Sequence, residues 1–178
     1  VLAKLTELDL SGKEFPFMAV KTAKVAGIDA RLLRVGFVGE WGFEIHVPHN
    51  DGKKLWENVI EAGSEFGITP FGVEAQRMLR LQKAHIIIGQ DTDGLTIPSQ
   101  AGLSWAVKMD KPFFIGKRSL QIQAQKTGAQ VLVGFDITNN PNSEPPKECH
   151  LIIENGDIAG RVTSVGKSPI LGKTIGLC

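Results

Sequence analysis

The sequence predicts an α+β fold over most of its length, followed by a small, incomplete all-β domain. Three observations carry this. Residues 55–62 and 72–83 hold apolar stripes at three- and four-residue spacing, the period of a helix with one buried face. Residues 43–47 alternate strictly, with Phe43, Ile45 and Val47 facing one way and Glu44 and His46 the other. Beyond Gly128 the helical period gives way to short apolar runs separated by turn residues. At 178 residues, 42% hydrophobic and 22% charged, the chain can fill one core or two small ones.

Taken in order, residues 1–8 read as the end of a short helix, with Leu2, Leu5 and Leu8 at threefold spacing. Asp9, Leu10, Ser11 and Gly12 supply turn chemistry. Residues 30–37 and 43–47 read as two strands, joined by a tight reversal across residues 38–42, where glycines permit positive backbone angles. Pro48 ends the second strand, and Asn50 or Asp51 can cap a helix whose stripe is Leu55, Val59 and Ala62. A second helix, residues 72–83, should bury Ala75, Met78 and Leu79 and leave Gln76, Arg77 and Arg80 on a polar flank. A short apolar run follows at 86–88, a polar turn at 90–94 and an apolar stretch at 103–107. Residues 108–117 suit a boundary, and 118–126 a short helix. Strand signals then fall at 131–137, 151–154, 158–165 and 174–177, with a Pro/Asn-rich loop at 138–147.

Composition narrows the function classes. A net charge of +1 gives no basic face for non-specific nucleic-acid binding. No run approaches the ~20 apolar residues of a membrane-spanning helix, so no membrane partner is expected. Cys149 and Cys178 lack metal or redox spacing and read as free thiols, which suits a cytoplasmic location. Asp91 and Asp93 lack the further ligands and closing Glu of a calcium loop, so no metal site is expected; their side chains more naturally shape the turn. The chain starts without Met and reaches Cys178 within a strand-like run, the pattern of a piece of something longer.

Several blocks, in order and at matching spacing, resemble one family. Gly39-Glu40-Trp41-Gly42-Phe43-Glu44 resembles a Gly-Glu-x-Gly-x-Glu hairpin, and residues 72–81 a helix that usually reads Gly-Leu-x-Ala-Arg-Asp-x-Leu-Arg-Leu. Gly89-Gln90-Asp91-Thr92-Asp93 with Thr96-Ile97-Pro98 and Gly102-Leu103-Ser104-Trp105 resembles the next block. Phe114-Ile115-Gly116-Lys117, then Gly160-Arg161-Val162-Thr163-Ser164 with Ser168-Pro169-Ile170-Leu171, resemble the last two. The family is that of the glycine cleavage T-protein aminomethyltransferases. Within it, Asp9-Leu10-Ser11, Glu14-Phe15-Pro16-Phe17-Met18 and residues 87–94 are most similar to the folate-binding region of the sarcosine oxidase alpha subunit.

The resemblance implies the C-terminal part of a T-protein-like folate-binding domain at residues 1–110, then a linker and truncated small β-barrel at 111–178. It also implies a missing N-terminal half carrying the family's catalytic aspartate, so no catalytic residue is assigned in this chain. The implied cofactor is tetrahydrofolate, with one-carbon (aminomethyl or methylene) transfer as the activity. The implied partners are a flavin-containing domain or subunit, or a lipoyl carrier protein. The alternative is a non-catalytic folate-family scaffold or subunit-interaction domain.

Four residues are named for the cofactor. Glu44 leads, because a carboxylate on a rigid strand can accept both the exocyclic amine and the ring N–H of a pterin. Trp41 offers an aromatic face for stacking. Gln76 stands where T-proteins carry an arginine linked to substrate or folate binding, an arginine that sarcosine oxidase alpha subunits also lack. Arg80, farther along that helix, suits either ligand contact or a structural ion pair. His46 shares the face of Glu44 without a second metal-type ligand and reads as a surface histidine.

Overall fold

A computed structural model describes residues 1–126, 128–138 and 144–178. The chain divides into two compact units, Val1–Gln76 and Arg77–Cys178. Among the described residues it combines three α-helices with three small antiparallel sheets, and these sheets do not close into a barrel.

The first unit is built on strands β1 (Val20–Val25), β2 (Ile28–Leu33) and β3 (Glu44–His46), in that spatial order and all antiparallel. Helix α1 (Gly52–Gly63) accompanies them. Val25, Ile28, Ala30, Leu32 and Leu55 form the core with Phe15, and Leu2, Leu5, Leu8, Phe43, Ile45 and Val59 pack around it. The leucines of residues 1–8 thus pack against the core, although of the expected helix end only Leu2–Lys4 is helical, as a 3-10 turn. Strand β1 is not announced by its sequence because its pattern is inverted. Val20 is exposed, while Lys21 lies on the core-facing side with its ammonium 5.6 Å from the Phe15 ring centre.

Two further expectations need correction. The reversal between β2 and β3 is longer than a tight turn, spanning residues 34–43, since the ladder ends at the Leu33–Glu44 pair. The Asp51 side chain makes no capping bond to α1, because the 3-10 turn His49–Asp51 leads directly into the helix. That turn leaves Asp51 with helical backbone angles, not the extended ones that aim a capping oxygen at the first amides.

Helix α2 (Val73–Gln82) begins in the first unit and ends in the second. Its burial differs from the predicted stripe: Ala75 is exposed, Met78 and Leu79 are half-buried, and Arg80 and Leu81 are buried. Arg80 therefore does not lie on a polar flank. A buried guanidinium requires partners, and the second unit provides them (below).

In the second unit the 103–107 stretch is a 3-10 turn at Ser104–Ala106 that leaves Trp105 exposed. Helix α3 covers Lys117–Gln123. Strand β4 (Gly134–Ile137) is the second half of the predicted run 131–137. The 138–147 loop lies partly outside the described residues. Strands β5 (Leu151–Glu154) and β6 (Asp157–Arg161) form a hairpin turned by Asn155 and Gly156, both at positive φ. The predicted strand 158–165 divides into β6 and β7 (Ser164–Ser168), because the chain changes partners there. The Val162 amide bonds the His150 carbonyl, whereas the Thr163 amide bonds that of Leu177. Strand β8 (Lys173–Leu177) is flanked by β4 and β7, so the run 174–177 is a central strand, not an open edge. Its Gly176 is required: a Cβ there would lie 2.2 Å from the Phe135 ring and 2.5 Å from the Ser164 carbonyl.

Candidate functional site

Strand alternation decides what each face of the first sheet can do. Ala23, Val25, Ile28, Ala30, Leu32 and Ile45 face the core. The opposite face carries Thr22 and Lys24 of β1, Asp29, Arg31 and Leu33 of β2, and Glu44 and His46 of β3. Glu44 lies directly across from Leu33, and His46 across from Arg31. The Glu44 side chain remains 59% exposed, and its Oε2 lies 3.1 Å from His46 Nε2. An ionised carboxylate only accepts, so Nε2 carries the proton in this bond. His46 is exposed, as a surface histidine is, and its ring also bonds Glu44. The i, i+2 spacing of the two residues was the signal for that contact.

Trp41 sits in the loop before β3, largely exposed, with the Arg34 guanidinium 4.2 Å from its ring centre. Arg34 Nη1 donates to the Phe15 carbonyl at 2.6 Å, which ties this stack to a core residue. No short motif pointed to Arg34; it follows β2 and continues the ladder through its backbone, bonding Met18 and Ala19. Gln76 is half-buried in α2, its backbone N–H donating to the Gly72 carbonyl. Glu44 and Trp41 thus belong to the first unit, Gln76 closes it, and Arg80 belongs to the second.

Arg80 is 1% exposed. Its Nη1 donates to Asp91 Oδ2 at 2.7 Å and to the His85 carbonyl at 3.0 Å, and its Nη2 to Ser164 Oγ at 2.7 Å. Its Nε has no partner among the described residues. Asp91 also accepts the Ile87 amide at 2.8 Å and the hydroxyls of Thr163 and Ser164 at 2.7 and 2.5 Å. Burial alone would raise the Asp91 pKa. The Ile87 amide, the two hydroxyls and the Arg80 charge together outweigh it and hold the carboxyl below its ordinary value. Around this pair, Gln90 bonds Glu148, the Thr163 carbonyl and Ser164. Asp93 has the turn role expected of it, accepting the Thr96 hydroxyl and the amides of Leu95 and Thr96. Asp91 does more, since it joins a loop, a helix and the start of β7.

A small antiparallel sheet with a carboxylate on its exposed face, followed by a second unit that holds short sheets and a buried ion pair, defines a two-part α+β protein. Comparison with known proteins makes the assignment specific: the chain belongs to the glycine cleavage T-protein family. The family described as the GCVT N-terminal domain matches residues 1–111, and the glycine cleavage T-protein C-terminal barrel domain matches 130–178. The chain is 36% identical over 177 residues to an aminomethyltransferase of Halothermothrix orenii, covering 99% of this chain and 48% of that protein. It is 39% identical over 186 residues to a sarcosine oxidase alpha subunit of Corynebacterium sp. strain U-96, covering 99% of this chain and 19% of the relative. The crystal structure of glycine cleavage system aminomethyltransferase T from Bartonella henselae is similar with a TM-score of 0.77 at 28% identity, covering 94% of this chain and 45% of that one. The chain thus spans about half the length of the aminomethyltransferases it matches.

Proposed function

We propose that this chain is part of a tetrahydrofolate-dependent one-carbon transferase, an enzyme moving an aminomethyl or methylene group onto folate. The observation that carries the reading is Glu44. Its carboxylate stands on a rigid strand, is oriented by His46, and keeps most of its acceptor capacity open to ligand. A pterin presents two adjacent donors, which such a carboxylate binds as a charge-assisted pair. Folate bound there would supply N5 as the nucleophile. The contribution of this chain is to hold the ring in a defined orientation, an entropic gain that positioning provides.

The remaining cofactor residues take supporting roles in this proposal. Trp41 presents the ring face that Arg34 does not cover. Gln76 replaces the arginine of T-proteins, which favours a methylamine-derived imine over an aminomethyl-lipoyl carrier as donor. Arg80, with both Nη atoms engaged, contributes by fixing the end of α2. We assign residues 1–110 to the folate domain and 111–178 to the linker and barrel domain. The proposed partners are a flavin-containing domain or subunit, or, failing that, a lipoyl carrier. The free cysteines suit a cytoplasmic location. Among the described residues, no helix is long and apolar enough to cross a membrane. The same Gln76 supports the second reading, a folate-family scaffold that does not turn over.

Calorimetric titration of the natural full-length protein with tetrahydrofolate tests the binding. Glu44→Gln should weaken affinity by about 1.5–3 kcal/mol, the scale of a charged hydrogen bond, with circular dichroism unchanged. Equal affinity would remove Glu44 from the site. Parallel assays with lipoylated carrier protein and with sarcosine plus oxidant test the donor. Turnover with the lipoyl carrier alone would overturn the imine assignment, and turnover with neither would favour the scaffold.

A further inference from the structure

We propose that Arg31 is a specificity-determining residue of the Glu44 site, donating to the 4-oxo oxygen of a 2-amino-4-oxopteridine whose amine and ring N–H are held by Glu44. This rests on the folate reading above and adds a residue that neither the motif nor the spacing singled out. The register places Arg31 across from His46 and diagonal to Glu44. Diagonal neighbours on one face are about 7–8 Å apart, within reach of long side chains.

Elimination singles out Arg31 among the donors of this face. Lys24 is committed to Asp29 at 2.8 Å, and His46 donates to Glu44. Thr22 lies beyond Arg31, on β1. The Arg31 side chain is exposed, and among the described residues no hydrogen bond or ion pair engages it. A shallow concavity of about 560 Å³ opens beside it, lined in part by Thr22, Lys24, Asp29, Arg31 and His46, with Glu44 outside its lining.

The ligand chemistry fits that arrangement. In a 2-amino-4-oxopteridine the oxo oxygen adjoins the ring N–H, on the side away from the amine. A carboxylate that accepts the amine and N–H can hold the ring in either of two orientations, and in one of them the oxo oxygen faces Arg31, the next group along the sheet. An arginine there meets an acceptor, and its planar fork of donors suits an sp² oxygen. Another carboxylate in that place would repel the same oxygen.

The test uses tetrahydrofolate labelled with carbon-13 at C4, bound to the natural full-length protein and followed by infrared difference spectroscopy and calorimetry. In wild type the C4 carbonyl stretch should shift to lower frequency on binding. Arg31→Met should abolish that shift and weaken affinity on the order of 10–100-fold, the scale of one charged hydrogen bond. Arg31→Lys, which keeps a cationic donor, should recover most of both. Folding of each variant is checked by circular dichroism. A carbonyl shift that persists in Arg31→Met overturns the proposal, whether or not affinity falls, because another group then holds the oxygen. Its failure is separable from that of the folate reading: if wild type binds tetrahydrofolate and Glu44→Gln weakens it while Arg31→Met changes nothing, only the Arg31 assignment is lost.

Discussion

Glu44 and Asp91 are both carboxylates within family-like motifs, yet they sit under opposite conditions. Glu44, in the first unit, is more than half exposed and has His46 as a neighbour at 3.1 Å. Asp91, in the second unit, is 5% exposed and accepts from Arg80, the Ile87 amide, Thr163 and Ser164. A carboxylate offers about four acceptor sites. Those of Asp91 are committed within the protein, whereas those of Glu44 remain largely open. The difference separates a residue that holds the fold from one that can hold a ligand, although a motif alone ranks them equally.

The sharpest way to break this contrast is to remove Asp91. Asp91→Ala leaves Arg80 charged, buried and without its counter-ion, and should cost about 3–5 kcal/mol of stability. Urea unfolding monitored in the second unit measures it; a loss below ~1 kcal/mol would show that the pair is not dry. Gly176→Ala should come next, at roughly 1–3 kcal/mol, because the added Cβ overlaps both the Phe135 ring and the Ser164 carbonyl. Thermal unfolding reads this directly, and an unchanged midpoint would mean that β8 shifts freely.

Acid sharpens the comparison further. The folded-state pKa of Asp91 is depressed, so its stabilising contribution is complete above the unfolded value of about 3.9 and is lost as pH falls through the lower folded value. Unfolding curves between about pH 6 and pH 3 should show wild type losing its advantage over Asp91→Asn at the acid end. A constant difference across that range would contradict the depressed pKa. The smallest effect is reserved for His46→Ala: an exposed pair contributes about 0.2–1 kcal/mol, so stability should barely move while ligand affinity falls.

Much of the fold was legible because pattern and burial agree. Phe43 and Ile45 alternate with Glu44 and His46 as a half-buried strand must, and Leu55 with Val59 gives α1 its inner face. The β1–β2 hairpin was not legible. Its turn places Ala26 at positive φ beside Gly27, where Asn would be the usual signal, and its core-facing row includes Lys21. Arg80 was misplaced for a related reason: a helix period assigns charges to the outside unless their partners are visible. Here Asp91 and Ser164 lie 11 and 84 residues away in sequence. Of the candidate site, Glu44 could be read directly from strand and motif. Arg31 and Arg34 could not, because their meaning depends on register and on a loop backbone.

The most direct test of the contrast is urea unfolding of the natural full-length protein and its Glu44→Gln variant, with and without tetrahydrofolate at about 100 times the wild-type Kd. Without ligand the two proteins should unfold within about 1 kcal/mol of each other, since the exposed pair with His46 is the side-chain contact Glu44 makes. With ligand, wild type should gain about 2.7 kcal/mol, and Glu44→Gln only about 0.3–1.3 kcal/mol if its affinity is weaker by 1.5–3 kcal/mol. An equal gain in both, or a variant already destabilised by more than about 1 kcal/mol without ligand, would contradict the account.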